Sequence, residues 1–132
     1  MSAGLPEGSW DCHVHVFNPR FSFAEGRSYT PGPATADTLR EQHATWGVAH
    51  PVVVQTSVYG TNNSCMSDAL SQLGPNARGV AVVDPDTVTD RDLTDLQSAG
   101  VCGIRVNLIS IWYINIFPPV TRLARRLRGT GL

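Results

Sequence analysis

The residues with the most evident chemical capacity stand together near the N-terminus, in Trp10-Asp11-Cys12-His13-Val14-His15-Val16-Phe17-Asn18. Side chains alternate faces along an extended strand, so residues two apart share one. Alternation predicts that Asp11, His13 and His15 point one way, and Cys12, Val14 and Val16 the other. Two imidazoles about 7 Å apart on one strand face can converge on a metal ion or a substrate oxygen. The opposite face is small and apolar, as packing against a helix layer requires. The competing reading of His13 and His15 is two polar groups in a partly wet core. Their place favours chemistry. The segment runs straight into Asn18-Pro19, so the pair lies at a strand's C-terminal end, where parallel α/β folds put their sites.

A second candidate is Arg105, in Gly103-Ile104-Arg105-Val106-Asn107-Leu108. On a strand it shares a face with Asn107, opposite Ile104, Val106 and Leu108. A charge aimed into a buried layer needs a partner. Arg105 either grips an anionic substrate group in a bidentate manner or pairs with Asp11 or Asp84. His43 lies on a predicted helix and is read as a helix-face residue without a catalytic role.

The elements that must position these groups follow from periodicity. Strand 1 is expected over about 10–17, after a Gly/Pro/Ser-containing lead-in at 1–9. Residues 18–34 carry Asn18-Pro19, Gly26, Pro31, Gly32 and Pro33, so they form a long irregular loop. Phe21, Phe23 and Tyr29 either fold over a pocket or anchor that loop. Thr35 suits a helix N-cap with Asp37 in the first turn; Leu39, Gln42, His43 and Trp46 keep helical spacing, and Gly47 ends the helix. Pro51 to Ser57 is a β-branched run, the mark of a strand buried on both faces. Ser64 is expected to cap a second helix through Met66, Ala69, Leu70 and Leu73. Strand 3 spans 79–83, a third helix starts near Thr89 or Asp90 and ends at Gly100, and strand 4 spans 103–108. Four β-α repeats with short loops predict parallel βαβ units with right-handed crossovers.

The segment from Ser110 to Phe117 is an apolar β-type run before Pro118-Pro119, and does not read as a fifth β-α unit. Residues 120–132 suggest a helix with Leu123 and Leu127 on one face and Arg122, Arg125, Arg126 and Arg128 elsewhere, ending at Gly129. A solvated face explains these arginines better than nucleic-acid binding. The organisation read from the chain is therefore a lead-in at 1–9, a β-α domain at 10–109, and a divergent segment with a basic helix at 110–132.

Composition narrows the classes. The 132 residues suit one domain, with 42% hydrophobic and 16% charged residues and a net charge of −1. There is no general pull toward nucleic acid or acidic membranes. All ten basic residues are arginine, which excludes a catalytic lysine. Cys12, Cys65 and Cys102 are odd in number and widely spaced, without Cys-x-x-Cys. This argues against a disulfide framework or structural zinc and fits a reducing, cytoplasmic setting. The N-terminal residues lack the features of a secretory signal, and no apolar run is long enough to span a bilayer.

Four stretches together resemble the amidohydrolase superfamily, in particular its amidohydrolase-related, lactonase-like branch. They are Asp11 to Phe17, Gln55 to Asn63 (QTSVYGTNN), Arg78 to Asp84 (RGVAVVD) and Gly100 to Leu108 (GVCGIRVNL). The resemblance covers about residues 10–109. It implies an α/β fold, a partial (β/α)8 TIM barrel of which this chain holds about the first four β-α units. It implies that His13 and His15 are catalytic, and that Ser57, Tyr59 and Arg105 line a substrate pocket and face carboxylates. In the superfamily the strand-1 pair works with groups on later strands. Some branches bind one or two divalent ions through that pair, and the lactonase branch is thought to use none, so either one divalent, zinc-like ion or no metal is expected here. Ser110 and Ile111 stand where the lactonase pattern has a second basic pair, a departure that bears on a dicarboxylate substrate.

Three functional expectations follow. The first is a hydrolase that directs activated water at a lactone or cyclic ester or amide carbonyl of a small, anionic molecule. The second is a non-catalytic truncated or mis-spliced fragment, with the break near 110–119. The third is a binding module that keeps the pocket without turnover. A half barrel would also expose sheet edges through which copies could associate.

Overall fold

Among the described residues strands and helices alternate, and the strands line up in the order in which they are made. The computed structural model describes residues 4–107 and 117–132. The elements are β1 (Trp10–Val14), α1 (Ala36–Trp46), β2 (His50–Val54), a 3-10 turn at Ser57–Tyr59, α2 (Ser64–Leu73), β3 (Arg78–Ala81), α3 (Asp90–Ser98), β4 (Val101–Ile104) and α4 (Phe117–Leu127). The sheet order is β1-β2-β3-β4, with parallel pairing throughout.

Local chemistry accounts for most boundaries. The Thr35 hydroxyl accepts the Thr38 N–H at the start of α1, and Gly47 ends that helix at φ 80° with its N–H on the His43 carbonyl. That positive φ is a conformation a glycine adopts without steric cost. At α3 the Thr89 hydroxyl takes the Asp92 N–H while the Asp92 carboxylate takes the Thr89 N–H, a complete capping box. α2 departs from expectation. Ser64 is its first residue rather than its cap, and the Ser64 N–H donates to the Asn62 side chain. Asn63 is thereby released for another task, described below.

One face of the sheet packs under the helices. Val53, Ala81 and Val101 meet Leu39 of α1 and Cys65, Met66, Ala69 and Leu70 of α2 in a single cluster. The approach is closest at Gly79. A Cβ there would lie 2.7 Å from Leu70 Cδ1 and 3.2 Å from Met66 Sδ, so the glycine sets the distance between β3 and α2.

The strands are shorter than the periodicity predicts. β1 ends at Val14 rather than near 17, because Phe17 leaves the sheet to exchange two backbone hydrogen bonds with Ala34. The 18–34 loop is thereby closed at its base. Phe21 and Phe23 pack against the core cluster, whereas Tyr29 is 47% exposed. The first two anchor the loop, and the third lies largely in solvent. β4 occupies 101–104 instead of 103–108. β3 ends at Ala81, and the last rung is the Arg105 N–H on the Ala81 carbonyl, 2.7 Å. Arg105 thus emerges at the end of the strand.

The C-terminal helix begins at Phe117, so Pro118 and Pro119 lie in its first turn, where a missing N–H costs nothing. Leu123 is buried. Arg122 pairs with Asp86, Arg126 with Asp90 and the Val88 carbonyl, and the Gln97 side chain with the Thr130 carbonyl. These contacts run in the same order along both segments, so α4 lies parallel to α3. Two of the four arginines predicted on a solvated face therefore dock the helix. The apolar run expected from Ser110 to Phe117 lies outside the described residues but for Phe117.

Candidate active site

The site is built where β1, β2 and β4 end, and its geometry starts from an irregularity in β1. Asp11 stands opposite Pro51 and Val14 opposite Val53. Three steps on β1 thus match two on β2, a bulge with one extra residue. Alternation is broken there, and the predicted common face of Asp11, His13 and His15 does not form. Asp11 turns to the helix layer, where its Oδ2 accepts the Nε2–H of His43 at 3.0 Å. His43 is 4% exposed, so it lies on the covered face of α1. After the bulge alternation resumes. Val14 and Val16 enter the core, and His13 and His15 occupy the opposite face.

On that face the two imidazoles meet edge to face, with centroids 5.0 Å apart and planes at 82°. His13 is exposed and His15 half-buried. His15 Nδ1 donates to the Val54 carbonyl at 2.8 Å. That bond fixes the ring and leaves Nε2 with its lone pair for a proton, a ligand or a metal. Arg105 reaches the same place from the other side, its Nη1 donating to the Gln55 carbonyl at 3.1 Å. Successive carbonyls of a strand point to opposite neighbours. The Gln55 N–H pairs with Val80 on β3, so the Gln55 carbonyl faces β3 and the Val54 carbonyl faces β1. His15 and Arg105 therefore close on the C-terminal end of β2 from two sides. Neither Asp11 nor Asp84 is the partner of Arg105 among the described residues.

Ser57 opens the 3-10 turn directly after this point and is half-buried. Tyr59 is placed differently from Ser57. It is 3% exposed, and its hydroxyl accepts the Asn18 N–H and donates to the Asn18 carbonyl, both at 3.1 Å. Its ring lies 5.1 Å from that of Phe23. Burial, reinforced by a hydrogen bond with Cys65, pushes the phenol up from 10.0 to about 12. Tyr59 pins the base of the 18–34 loop beside the site, and its hydroxyl is already engaged.

Two polar residues outside the predicted set hold the loop after β2. Gln55 is 2% exposed and donates to the Gly60 and Asn62 carbonyls at 3.1 and 2.8 Å. Asn63 donates to the Val82 carbonyl at 2.9 Å and accepts the Val82 N–H at 3.1 Å, so an amide side chain extends β3 by one mock rung. The sequence carries a signal for the first. A glutamine inside a β-branched run must find partners once buried.

His13 and His15 supply two imidazole donors, short of the three protein ligands usual for catalytic zinc. Among the described residues no group of three His, Cys, Asp or Glu side chains could hold a metal ion, and Asp11 is committed to His43. The described residues therefore do not make a complete metal site.

The fold and these positions define the first half of a (β/α)8 barrel, with basic and imidazole groups at the C-terminal mouth of its strands. The model of the amidohydrolase family matches residues 10–111. The chain belongs to that family. It is 42% identical over 107 residues to a 2-pyrone-4,6-dicarboxylate hydrolase of Comamonas testosteroni, covering 80% of this chain and 35% of that protein. It is 34% identical over 108 residues to a 4-sulfomuconolactone hydrolase of Rhizobium radiobacter, covering 80% and 36%. A crystal structure from Acinetobacter baumannii, described as a probable 2-pyrone-4,6-dicarboxylic acid hydrolase with citric acid bound, superimposes with a TM-score of 0.82 at 30% identity, over 91% of this chain and 45% of the other. An Agrobacterium tumefaciens structure at 19% identity shares the fold, with a TM-score of 0.81 over 97% and 47%. The chain thus spans little more than a third of the length of these curated relatives.

Proposed function

We propose that this chain carries the β1 and β4 part of a lactonase-type site, in which an activated water attacks the carbonyl of a lactone or other cyclic ester or amide. The observation that carries the reading is the convergence of His15 and Arg105 on neighbouring carbonyls at the end of β2, with His13 meeting His15 edge to face. In this reading the free Nε2 of His15 and the exposed ring of His13 contact the reacting carbonyl or its water, and can hold or pass a proton there. Arg105 and Ser57 grip a carboxylate or similar anionic group beside it. Tyr59 belongs to the same pocket as the residue that holds its loop. The relatives named for pyrone dicarboxylate and sulfomuconolactone support a small, anionic, lactone-like substrate. The three cysteines are free, in keeping with a reducing cytoplasmic setting. No helix among the described residues is long and apolar enough to cross a membrane.

A second reading has its own support. Among the described residues no group of three His, Cys, Asp or Glu side chains is found, so the two imidazoles have no third such group beside them to share the work of activating water. The chain would then bind the anion without turning it over. The two readings separate when the purified chain is given a carboxylated pyrone lactone. Ultraviolet absorbance follows ring opening and calorimetry follows binding. Turnover abolished by His13→Ala supports the hydrolase. Saturable binding weakened by Arg105→Ala, without ring opening, supports the binding module. Neither turnover nor binding would sink both.

A further inference from the structure

Buried His43 and half-buried Asp11 form a pair that the reading of His13 and His15 as site residues leaves unused, although Asp11 precedes them on the same strand. One carboxylate does two things. Its Oδ2 takes the Nε2–H of His43 on α1 at 3.0 Å, and its Oδ1 takes the backbone N–H of His13 at 3.4 Å. The bulge lies between Asp11 and Val14, and the bond from this carboxylate to the His13 N–H falls within that stretch. In an unbroken strand Asp11 and His13 would share a face. The residue that points back toward α1 is therefore what allows the next ones to be re-aimed. Bulges are used near active sites for this purpose, and a one-residue slip would turn both histidines to the opposite face.

We infer that Asp11 and His43 are positioning residues, a helix-to-strand clamp that holds the β1 bulge and so directs the His13 and His15 rings to the inner face. The role concerns geometry and requires no turnover. It rests on the functional reading only in treating those two rings as the site.

The test reads ring geometry directly. In histidine-labelled protein, His13→Ala and His15→Ala assign the ring signals by their disappearance. Rings 5.0 Å apart in a T-shape give a ring-to-ring nuclear Overhauser effect and mutual ring-current shifts. His43→Phe keeps a ring on α1 but removes the donor. It is expected to abolish the effect and move both histidine signals. His43→Gln, whose side-chain amide can offer an N–H near the same position, is expected to restore them. Leu39→Ala opens the same buried face of α1 without touching Asp11 and is expected to leave the ring contact in place. Asp11→Ala breaks the clamp from the strand side, should His43→Phe fail to fold. Persistence of the ring contact in both His43→Phe and Asp11→Ala overturns the proposal, and so does an equal loss in Leu39→Ala. Failure of lactone binding or turnover with the ring contact intact would instead count against the functional reading and leave the clamp standing.

Discussion

The two faces of β1 use their polar groups in opposite ways. On the outer face Asp11 is committed to a 4%-exposed His43, and Val14 and Val16 are packed into the core. On the inner face His13 is exposed, and His15 spends one ring nitrogen on Val54 and keeps the other. Histidine is thus structural on the covered side, at His43 of α1, and available on the open side, at His13 and His15 of the β1 segment. What separates them is the number of hydrogen-bonding positions already filled by the protein. The helix-covered face should carry stability and the open face should carry recognition.

That division is tested most severely at the centre of the covered face. Leu70 is 3% exposed and lies against β3 at Gly79. Leu70→Ala is expected to cost about 2–5 kcal/mol, since a buried truncation loses transfer energy and leaves a cavity. Gly79→Ala is expected to cost about 1–3 kcal/mol by overpacking against Leu70 and Met66. Urea unfolding followed by circular dichroism measures both. A change near zero for either would mean that β3 and α2 do not pack as closely as the sheet geometry indicates.

Much of this face is legible in the sequence. Four parallel strands alternating with helices, the Thr35 cap, the Gly47 stop and the start of the third helix near Thr89 or Asp90 all follow from periodicity and local hydrogen bonding, and all are found. The bulge in β1 is not legible, because it is made by pairing with β2 and leaves no mark on the alternation of residue types. Alternation gives the wrong direction for Asp11 for that reason, and its pairing with His43 leaves no trace in the sequence. Arg105 illustrates a second limit. Its partner is a main-chain carbonyl of Gln55, which no pattern of charged side chains can reveal. Asn63 illustrates a third: an amide that mimics a strand rung looks, in sequence, like any loop asparagine. The positions of His13 and His15 at a strand end were readable. Which groups they face was a property of the assembled sheet.

Tyr59 tests the boundary between the faces, since it ties the loop beside the site to the core. Tyr59→Phe is expected to cost about 0.5–1.5 kcal/mol, the net worth of a buried hydrogen-bonded hydroxyl. The titration has a definite sign. Its folded pKa of about 12 lies above the ordinary value of 10.0, so the folded state favours the protonated phenol. The stability this contributes is fully present below pH 10 and is lost as pH rises between 10 and 12. Stability of the wild type should therefore fall across that window more steeply than that of Tyr59→Phe. Parallel curves would show that the phenol is not held as the contacts with Asn18 imply.

The ion pairs that dock α4 lie at the exposed extreme and should matter less. Arg122→Ala and Arg126→Ala are each expected to cost about 0–1 kcal/mol, because solvent and entropy offset exposed pairs. The effect should shrink further at high salt. A loss of several kcal/mol would show that the helix depends on these pairs more than on burial of Leu123.

The inner face provides the sharpest contrast, because the smallest effect on stability should accompany the largest effect on recognition. His13 is exposed, and its ring meets that of His15 edge to face. His13→Ala is expected to change unfolding free energy by within about 0.5 kcal/mol, as surface substitutions without special contacts do. If the open face is a recognition surface, the same change should weaken binding of a carboxylated lactone tenfold or more, equivalent to about 1.4 kcal/mol. Calorimetric binding and urea unfolding on one variant decide the matter. Lost binding with stability intact places the function of His13 on the open face. Intact binding with lost stability would reverse the assignment of the two faces and make the inner histidines structural, leaving anion recognition to Arg105 and Ser57.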